Sequence, residues 1–356
     1  MQNIDGSRYW VGSLPARIHS AVQYIRQEEP DFAGLDETVL MAIYTGRELK
    51  PYLKKFESGS IGINLGSSRG ATRLFERYHT EYLGGERIPP QSSPTTTLGN
   101  LSSWLAHDLG VDGPAMSHSI TCSTGLHSML NGIAWLRSGM ASAVIAGATE
   151  SPLTGFTLAQ MMALKIYSRE EEVAEYPCQS LKLDKEANTL VLGEAASLAL
   201  LTVEPGRSPL ARIIGLGYAT EPLQHVVSLS ADADCLQKSM TRALGNAGLK
   251  PGEIDVIAMH APGTRLGDKS EYLAIRKVFG NECPFLTTHK WKLGHTFATS
   301  GMLGIEMACL MLRHQQAITV PFHLPQSPPS RLDRILVNAV GFGGNAVSIV
   351  LSRPDL

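Results

Sequence analysis

The chain has 356 residues, 43% of them hydrophobic and 18% charged, and its 31 Lys and Arg against 33 Asp and Glu leave a formal charge of −2. A chain of this length buries a full core as two modest domains or one large duplicated α/β unit, which excludes a disulfide-stapled miniprotein. The near-neutral balance, with no run of like charge longer than Glu170, Glu171 and Glu172, supplies no basic field for a nucleic-acid backbone, so nucleic acid is excluded as a partner.

In chain order, a short strand is expected at 9–11. Ile18, Val22 and Ile25 recur at helical spacing and predict a helix over 16–28, with a second over 36–50. A strand at 60–65 runs into Gly66-Ser67-Ser68-Arg69-Gly70, a charged helix extends to Leu83, and 88–97, rich in Pro, Ser and Thr, reads as a surface loop. From Asn100 the pattern becomes regular: a helix to 109, a strand at 115–121, a helix over 123–138 and a strand at 142–148. Leu126, Met129, Leu130, Ile133 and Leu136 give the helix over 123–138 a wide apolar face, and Gly139 stops it, so it is expected to lie buried against a sheet. A helix at 156–164 and a strand region at 189–201 complete a first half. Pro205-Gly206 marks the expected boundary between halves 1–205 and 206–356. The second half repeats the order, with strands at 211–216, 255–260, 284–288, 335–339 and 346–351 and helices at 232–247, 269–279 and 301–313. Strands alternating with helices of this length predict a largely parallel, helix-covered sheet in each half. The duplication is read from element order, since no repeat is visible residue by residue.

No charged n-region followed by an apolar h-region opens the chain, and the most apolar stretches, 189–203 and 301–312, are interrupted by Glu194 and Glu306. They fall short of the roughly 18 apolar residues of a membrane span, so a cytoplasmic protein is expected. The five cysteines (Cys122, Cys178, Cys235, Cys283 and Cys309) are widely spaced with no Cys-x-x-Cys, which suggests neither disulfides nor zinc.

Four segments could carry chemistry. Cys122, in Thr121-Cys122-Ser123-Thr124-Gly125, falls where a strand ends and a buried helix begins. There the helix dipole and free N–H groups favour thiolate, and a low-pKa nucleophile would result; a small buried cysteine packed as a hydrophobe is the competing reading. His260 follows an apolar strand and opens the turn His260-Ala261-Pro262-Gly263-Thr264, at a strand's carboxyl end, where ligands of open α/β sheets gather. A second strand leads to His289-Lys290-Trp291-Lys292-Leu293-Gly294-His295. Single histidines are more often structural, but two in equivalent places are harder to read that way. Gly341-Phe342-Gly343-Gly344-Asn345 is a tight turn between strands. No helix follows it, so it is no dinucleotide fingerprint, but it could bring a backbone N–H to a reacting carbonyl. His118, His127 and His289 read as structural or surface residues.

Taken in order, these segments resemble the β-ketoacyl-acyl-carrier-protein synthases, the decarboxylating condensing enzymes of the thiolase superfamily. The resemblance runs from Ser60 onward. The family's Thr-Ala-Cys-Ser/Ala-Ser/Thr-Gly stands here as Ile120 to Gly125, and its His-Gly-Thr-Gly-Thr with an acidic pair as His260 to Thr264 with Asp268 and Glu271. Its Lys-x-x-x-Gly-His stands as Lys290 to His295, and its Gly-Phe-Gly-Gly turn as Gly341 to Gly344. The resemblance implies an α/β thiolase fold, five-layered αβαβα, built from two pseudo-duplicated βαβαβαββ halves. Cys122 would take the acyl chain from a carrier-protein thioester. His260 and His295 would hold a malonyl thioester and help expel CO₂, with Lys290 beside them. The Cys122 and Phe342 N–H groups would form the oxyanion hole, with the Phe342 ring gating the pocket. Thr264, Phe156, Gly341 and Gly343 would contact substrate. The protein would need no metal or redox cofactor, phosphopantetheine arriving on the acyl carrier protein, and would form a homodimer or a heterodimer with a second ketosynthase-like subunit. No isolated basic patch for an acidic carrier stands out, Lys50, Lys54 and Lys55 coming nearest to one.

Some positions depart from the family pattern. Pro262 replaces the first threonine of the histidine motif, Gly304 stands where a glutamate often pairs with the lysine, and the glycine turn lacks the residue commonly inserted before Asn345. These changes point to a specialised synthase in fatty-acid, polyketide or polyene biosynthesis. Two other readings are a non-catalytic chain-length-factor type of subunit, against which the intact Cys122, His260 and His295 argue, and a thiolase-fold acyltransferase that works without decarboxylation.

Overall fold

The computed structural model describes residues 1–356 except 97, 99, 171–174, 205–207, 223–228, 281–282 and 323–325. The expected boundary at Pro205-Gly206 lies outside the described residues.

The chain opens with a hairpin of β1 (Gln2–Ile4) and β2 (Ser7–Tyr9), turned by Asp5-Gly6 at φ +49° and +82°, the backbone that an Asp-Gly hairpin turn uses. The strand expected at 9–11 is split between β2 and β3 (Val11–Gly12). Then come α1 (Ala16–Glu28), α2 (Glu37–Arg47), the single turn α3 (Lys50–Leu53), β4 (Ile61–Gly66), α4 (Thr72–Leu83), α5 (Ser92–Thr96) and α6 (Asn100–Leu109). Asp36, expected inside the second helix, instead caps it, its carboxylate accepting the Thr38 N–H at 2.9 Å. The loop expected at 88–97 contains α5, a short helix whose threonine hydroxyls bond back to preceding carbonyls.

The first sheet and its helices follow: β5 (Ala115–His118), α7 (Thr124–Ser138), β6 (Ala143–Glu150), α8 (Gly155–Ala163), β7 (Leu192–Gly193) and β8 (Ala195–Thr202). Gly139 ends α7 at φ +74°, as its position predicts. The second set is β9 (Arg212–Thr220), α9 (Asp234–Ala247), β10 (Val256–Ala258), α10 (Arg265–Phe279), β11 (Phe285–Thr287), α11 (Lys290–Leu293), α12 (Ser300–His314), β12 (Arg334–Gly341) and β13 (Asn345–Ser352).

Strand order in the first sheet is β5-β4-β6-β8, parallel except for β6-β8; in the second it is β11-β10-β12-β13-β9. There β10 pairs in parallel with β11 and β12, while β12-β13 and β13-β9 are antiparallel. The expectation of a largely parallel sheet therefore fails for this half. A short glycine turn joining two strands can only make a hairpin, because a parallel partner needs a long crossover.

Alternation along the strands sorts the layers. Val144, Ala146 and Ala148 of β6, with Val337, Ala339, Val347 and Ile349 of the second sheet, face a shared core into which α7 and α12 send Leu126, Met129, Met302 and Ile305. Ile61, Ile63, Leu65 and Ile145 face the other way, onto α1, α2 and α6. Ile257, Leu336, Val340 and Val350 face α9 and α10. The result is five layers, helix-sheet-helix-sheet-helix, with two buried helices at the centre. Among the described residues no helix is long and apolar enough to cross a membrane.

Candidate active site

Cys122 sits between the end of β5 and the head of α7, and is 6% exposed. Thr121 before it is held at φ +48°, a conformation costly for a β-branched residue. Neighbouring hydrogen bonds maintain it: the Ile120 N–H donates to Thr124 Oγ1 at 2.8 Å, and Thr121 Oγ1 donates to the Phe342 carbonyl at 3.1 Å. Gly341 makes this approach possible. A Cβ there would lie 2.0 Å from Thr121 Oγ1 and 3.1 Å from the Cys122 nitrogen.

The backbone N–H groups of Cys122 and Phe342 consequently both aim at the sulfur. Two convergent donors can hold a negative oxygen formed beside it, a contribution of roughly 3 kcal/mol each in water-excluded sites. The expected low-pKa thiol is corrected: burial pushes Cys122 up to about 12, despite the opposing pull of the nearby Lys290 charge and of these N–H groups. The position at a helix head is as expected. Desolvation of the charged form outweighs what the helix end supplies.

His260 and His295 meet edge to face, ring centroids 5.3 Å apart, and both are buried. The Phe297 N–H donates to His295 Nδ1 at 2.9 Å, which assigns the ring proton to Nε2 and makes that atom a donor. Phe297 adopts φ +43° to do so. His260 is held from behind, its own N–H and that of Ala261 donating to the two oxygens of buried Glu271 at 2.9 and 2.8 Å. Its Nδ1 is buried and has no partner among the described residues. Burial first, and the Lys290 charge second, hold both rings well below the usual imidazole pKa, so both are neutral.

Lys290 is 1% exposed and donates from Nζ to the His260 carbonyl. No glutamate from the 304 position reaches it, because Gly304 packs against Val337, where a Cβ would already fall 2.9 Å from Cγ1. The charge of Glu271 supports it instead.

Other expected site residues are placed differently. Thr264 caps α10, accepting the Gly267 N–H at 3.2 Å, which leaves its own O–H free to donate. Phe342 is 38% exposed at the tip of its turn, with Gly343 at φ +101°. Phe156 is 61% exposed near the start of α8, while Leu158 and Met161 of the same helix join the cluster around Cys122, so this chain does not bring it into the pocket. His118 and His289 are not surface residues. His289 is buried with both ring nitrogens unpartnered among the described residues, and burial holds His118 down to about 4. His127 bonds through Nδ1 to the Ser123 carbonyl within its own helix, a structural role. Lys50 forms an ion pair with Asp108 at 3.5 Å, so it is not a free member of a basic patch.

Several supports complete the site; Asp268 belongs to the acidic pair expected after the histidine motif, whereas the close packing at Gly12 had no signal in the sequence. Glu150, at the end of β6, accepts from Ser67 Oγ and from the N–H groups of Ser68, Arg69 and Ala298 at 2.7–3.2 Å, tying the Cys122 side to the His295 side. Asp268 accepts from Lys185 Nζ at 2.6 Å and from the Leu181 and Gly263 N–H groups at 2.8 and 2.9 Å. Gly12 and Gly193 close against the Leu293 carbonyl, where a Cβ would fall 2.0 and 2.5 Å from the oxygen, and Gly193 N–H bonds to the His295 carbonyl at 3.0 Å.

Five layers around two buried helices, with a cysteine at the head of one and two histidines on turns of the opposite half, define a thiolase-like condensing-enzyme fold. Solved structures share it. A ketosynthase in complex with its chain length factor from Xenorhabdus doucetiae superposes with a TM-score of 0.80 at 21% identity, over 98% of this chain and 88% of that one. A type II polyketide ketosynthase in complex with its acyl-carrier protein superposes with a TM-score of 0.82 at 18% identity, over 96% and 88%. The N-terminal domain of β-ketoacyl synthases matches residues 44–205 and the C-terminal domain residues 210–322. The chain belongs to the β-ketoacyl synthase family. It is similar to 3-oxoacyl-[acyl-carrier-protein] synthase 2 of Staphylococcus aureus, at 24% identity over 82% of this chain and 75% of the relative. It is likewise similar to a putative polyketide β-ketoacyl synthase 1 of Streptomyces cyaneus, at 28% identity over 83% and 75%.

Proposed function

We propose that this protein is a catalytically competent ketosynthase in which residues 1–205 supply the nucleophile Cys122 and residues 206–356 supply His260, His295 and Lys290. The observation that carries the reading is the pairing of a sulfur under two convergent N–H groups with two neutral, buried imidazoles, one of which has its Nε2 proton fixed by a backbone bond to Nδ1. A chain-length-factor role has no use for that arrangement.

Chemistry follows from the protonation states. The thiol is protonated at rest, so its proton passes to a neutral imidazole as sulfur attacks the carbonyl of an acyl thioester. The tetrahedral oxyanion forms against the Cys122 and Phe342 N–H groups, the carrier's thiolate leaves and takes the proton, and the acyl group remains on Cys122. A malonyl thioester then places its thioester oxygen against the His260 and His295 donors. As its terminal carbon–carbon bond breaks and CO₂ departs, the electron pair is held as an enolate at that oxygen. The enolate carbon attacks the acyl-enzyme carbonyl, the Cys122 sulfur leaves as thiolate and takes up one proton from solvent, and a chain two carbons longer is released. The substrates arrive on an acyl carrier protein through its phosphopantetheine arm, for which the Thr264 O–H and the Gly341 to Gly343 turn are the proposed contacts, with Phe342 gating the entrance. Kinship with ketosynthases solved as pairs supports assembly as a homodimer or with a second ketosynthase-like subunit, and Phe156, exposed on its own chain, suits such a contact.

Intact-protein mass spectrometry tests this. Wild type, incubated with acyl-carrier thioesters, should gain the acyl mass and lose it to malonyl carrier as a product two carbons longer. Cys122→Ala should gain nothing, and Cys122→Gln should decarboxylate malonyl carrier without condensing. Condensation by Cys122→Ala would sink the assignment.

A further inference from the structure

Residues 1–43 precede the stretch that the family models match, yet the first strands are built into the active centre. β3 pairs in parallel with β7, whose Leu192 is bridged in turn to His295. Ile4, Tyr9 and Val11 pack against the apolar cluster that contains Cys122, Leu158, Met161, Tyr167 and Phe297. Tyr9 meets the Tyr167 ring edge to face at 6.3 Å, and the Tyr167 hydroxyl donates to the Trp10 carbonyl at 2.5 Å. At the hairpin turn, Asp5 docks against Gly155 at the head of α8, where a Cβ would lie 2.0 Å from Asp5 Oδ2.

An acyl group on Cys122 has its carbonyl oxygen directed at the Cys122 and Phe342 N–H groups. Its tail therefore leaves the sulfur through the apolar surroundings that adjoin it, which this cluster provides. Cys122, Leu158, Met161 and Phe297 are buried, whereas Ile4 and Tyr9 are half-buried, so the hairpin is the layer between the cluster and water. We propose that the N-terminal hairpin Gln2–Tyr9 is a wall of the acyl-binding site, with Ile4 and Tyr9 setting the longest acyl chain that Cys122 accepts. The inference rests on the ketosynthase reading above. A wall one side chain thick gives way when truncated and advances when enlarged, and each methylene so admitted strengthens binding about fourfold.

Wild type, Ile4→Ala, Tyr9→Ala and Ile4→Phe, all as full chains, are incubated with straight-chain acyl-pantetheine thioesters that lengthen two carbons at a time, and the Cys122 adduct is followed by intact mass. The ratio of long-chain to short-chain loading should rise at least about tenfold in the alanine variants, the effect of two methylenes, and fall in Ile4→Phe. An identical profile in all four proteins, each acylated at Cys122, overturns the wall and leaves the ketosynthase reading standing. No adduct on wild type at any length overturns that reading, and the wall with it. If an alanine variant loses its melting transition, Ile4→Phe, which keeps the position apolar, decides alone.

Discussion

A lysine with 1% exposure has almost no water around its charge, and burial draws Lys290 down to about 8. The charge of Glu271 pulls the other way, so at neutral pH the ammonium persists and adds to the burial that keeps His260, His289 and His295 uncharged. It also lowers the cost of negative charge on Cys122. Because a lysine loses its charge as pH rises through its pKa, this support is present below about 8 and lost above it. The kcat/KM for condensation should therefore fall on the alkaline side with an apparent pKa near about 8. Lys290→Met should lower kcat/KM about a hundredfold and remove that limb, and a limb unchanged in the variant would assign it to another group. The resemblance to the condensing enzymes had named this lysine beside two histidines. That Glu271, and not a residue at 304, supports it depended on which carboxylate the fold turned inward.

Among the elements, the strand–turn–helix around Cys122 and the β12-turn-β13 hairpin are one device, since the second supplies the N–H that the first needs. Their contact is closest at Gly341, where any Cβ collides with Thr121 and crowds Cys122. Gly341→Ala should leave the hairpin folded but move the Phe342 N–H off the sulfur, slowing acylation about 10²- to 10³-fold by the worth of one oxyanion donor. Stopped-flow or quenched mass measurement of Cys122 acylation checks this, and a wild-type rate would separate Gly341 from the oxyanion hole. Element positions were legible where the local pattern was regular: α1 and α6 begin and end at the expected residues. Legibility failed where partners decide. The parallel reading of the second sheet gave way to two antiparallel pairs, and a polar, proline-bearing stretch held α5.

At the scale of the whole molecule, the two halves are joined through buried polar contacts as well as through the shared core. Lys185, from the segment leading into β7, pairs with Asp268 on α10 at 2.6 Å, both side chains almost wholly buried. Burial pushes the Asp268 carboxyl up even with the ammonium beside it, so the pair is better read as a device for register than as a source of stability. Ser180 Oγ on the Ala261 carbonyl and Thr189 Oγ1 on the Gly263 carbonyl at 2.9 Å extend the same seam to the turn that presents His260. Lys185→Met leaves Asp268 buried without a cation and should cost about 3–5 kcal/mol, read as a shift in the urea midpoint at constant slope, while Lys185→Met with Asp268→Asn, which removes the buried charge and keeps an acceptor for one of the Leu181 and Gly263 N–H groups, should recover part of it. Equal destabilisation by the single and double variants would show that the uncompensated Asp268 charge is not what destabilises the single variant.

The sequence by itself determined the alternation of strand and helix, the buried helix behind Cys122 and the ordered set of Cys122, His260, Lys290 and His295. The first two follow from local periodicity and glycine stops, which act over a few residues, and the third from motifs that resemble those of the condensing enzymes. Only the tertiary structure decided the thiol's protonation, the His295 tautomer, the carboxylate behind His260 and the lining of the Cys122 cluster by Ile4 and Tyr9. Each of those depends on desolvation or on a hydrogen bond between residues distant in the chain or turned together by the fold, and such energies exist only once water has been excluded and the partners meet.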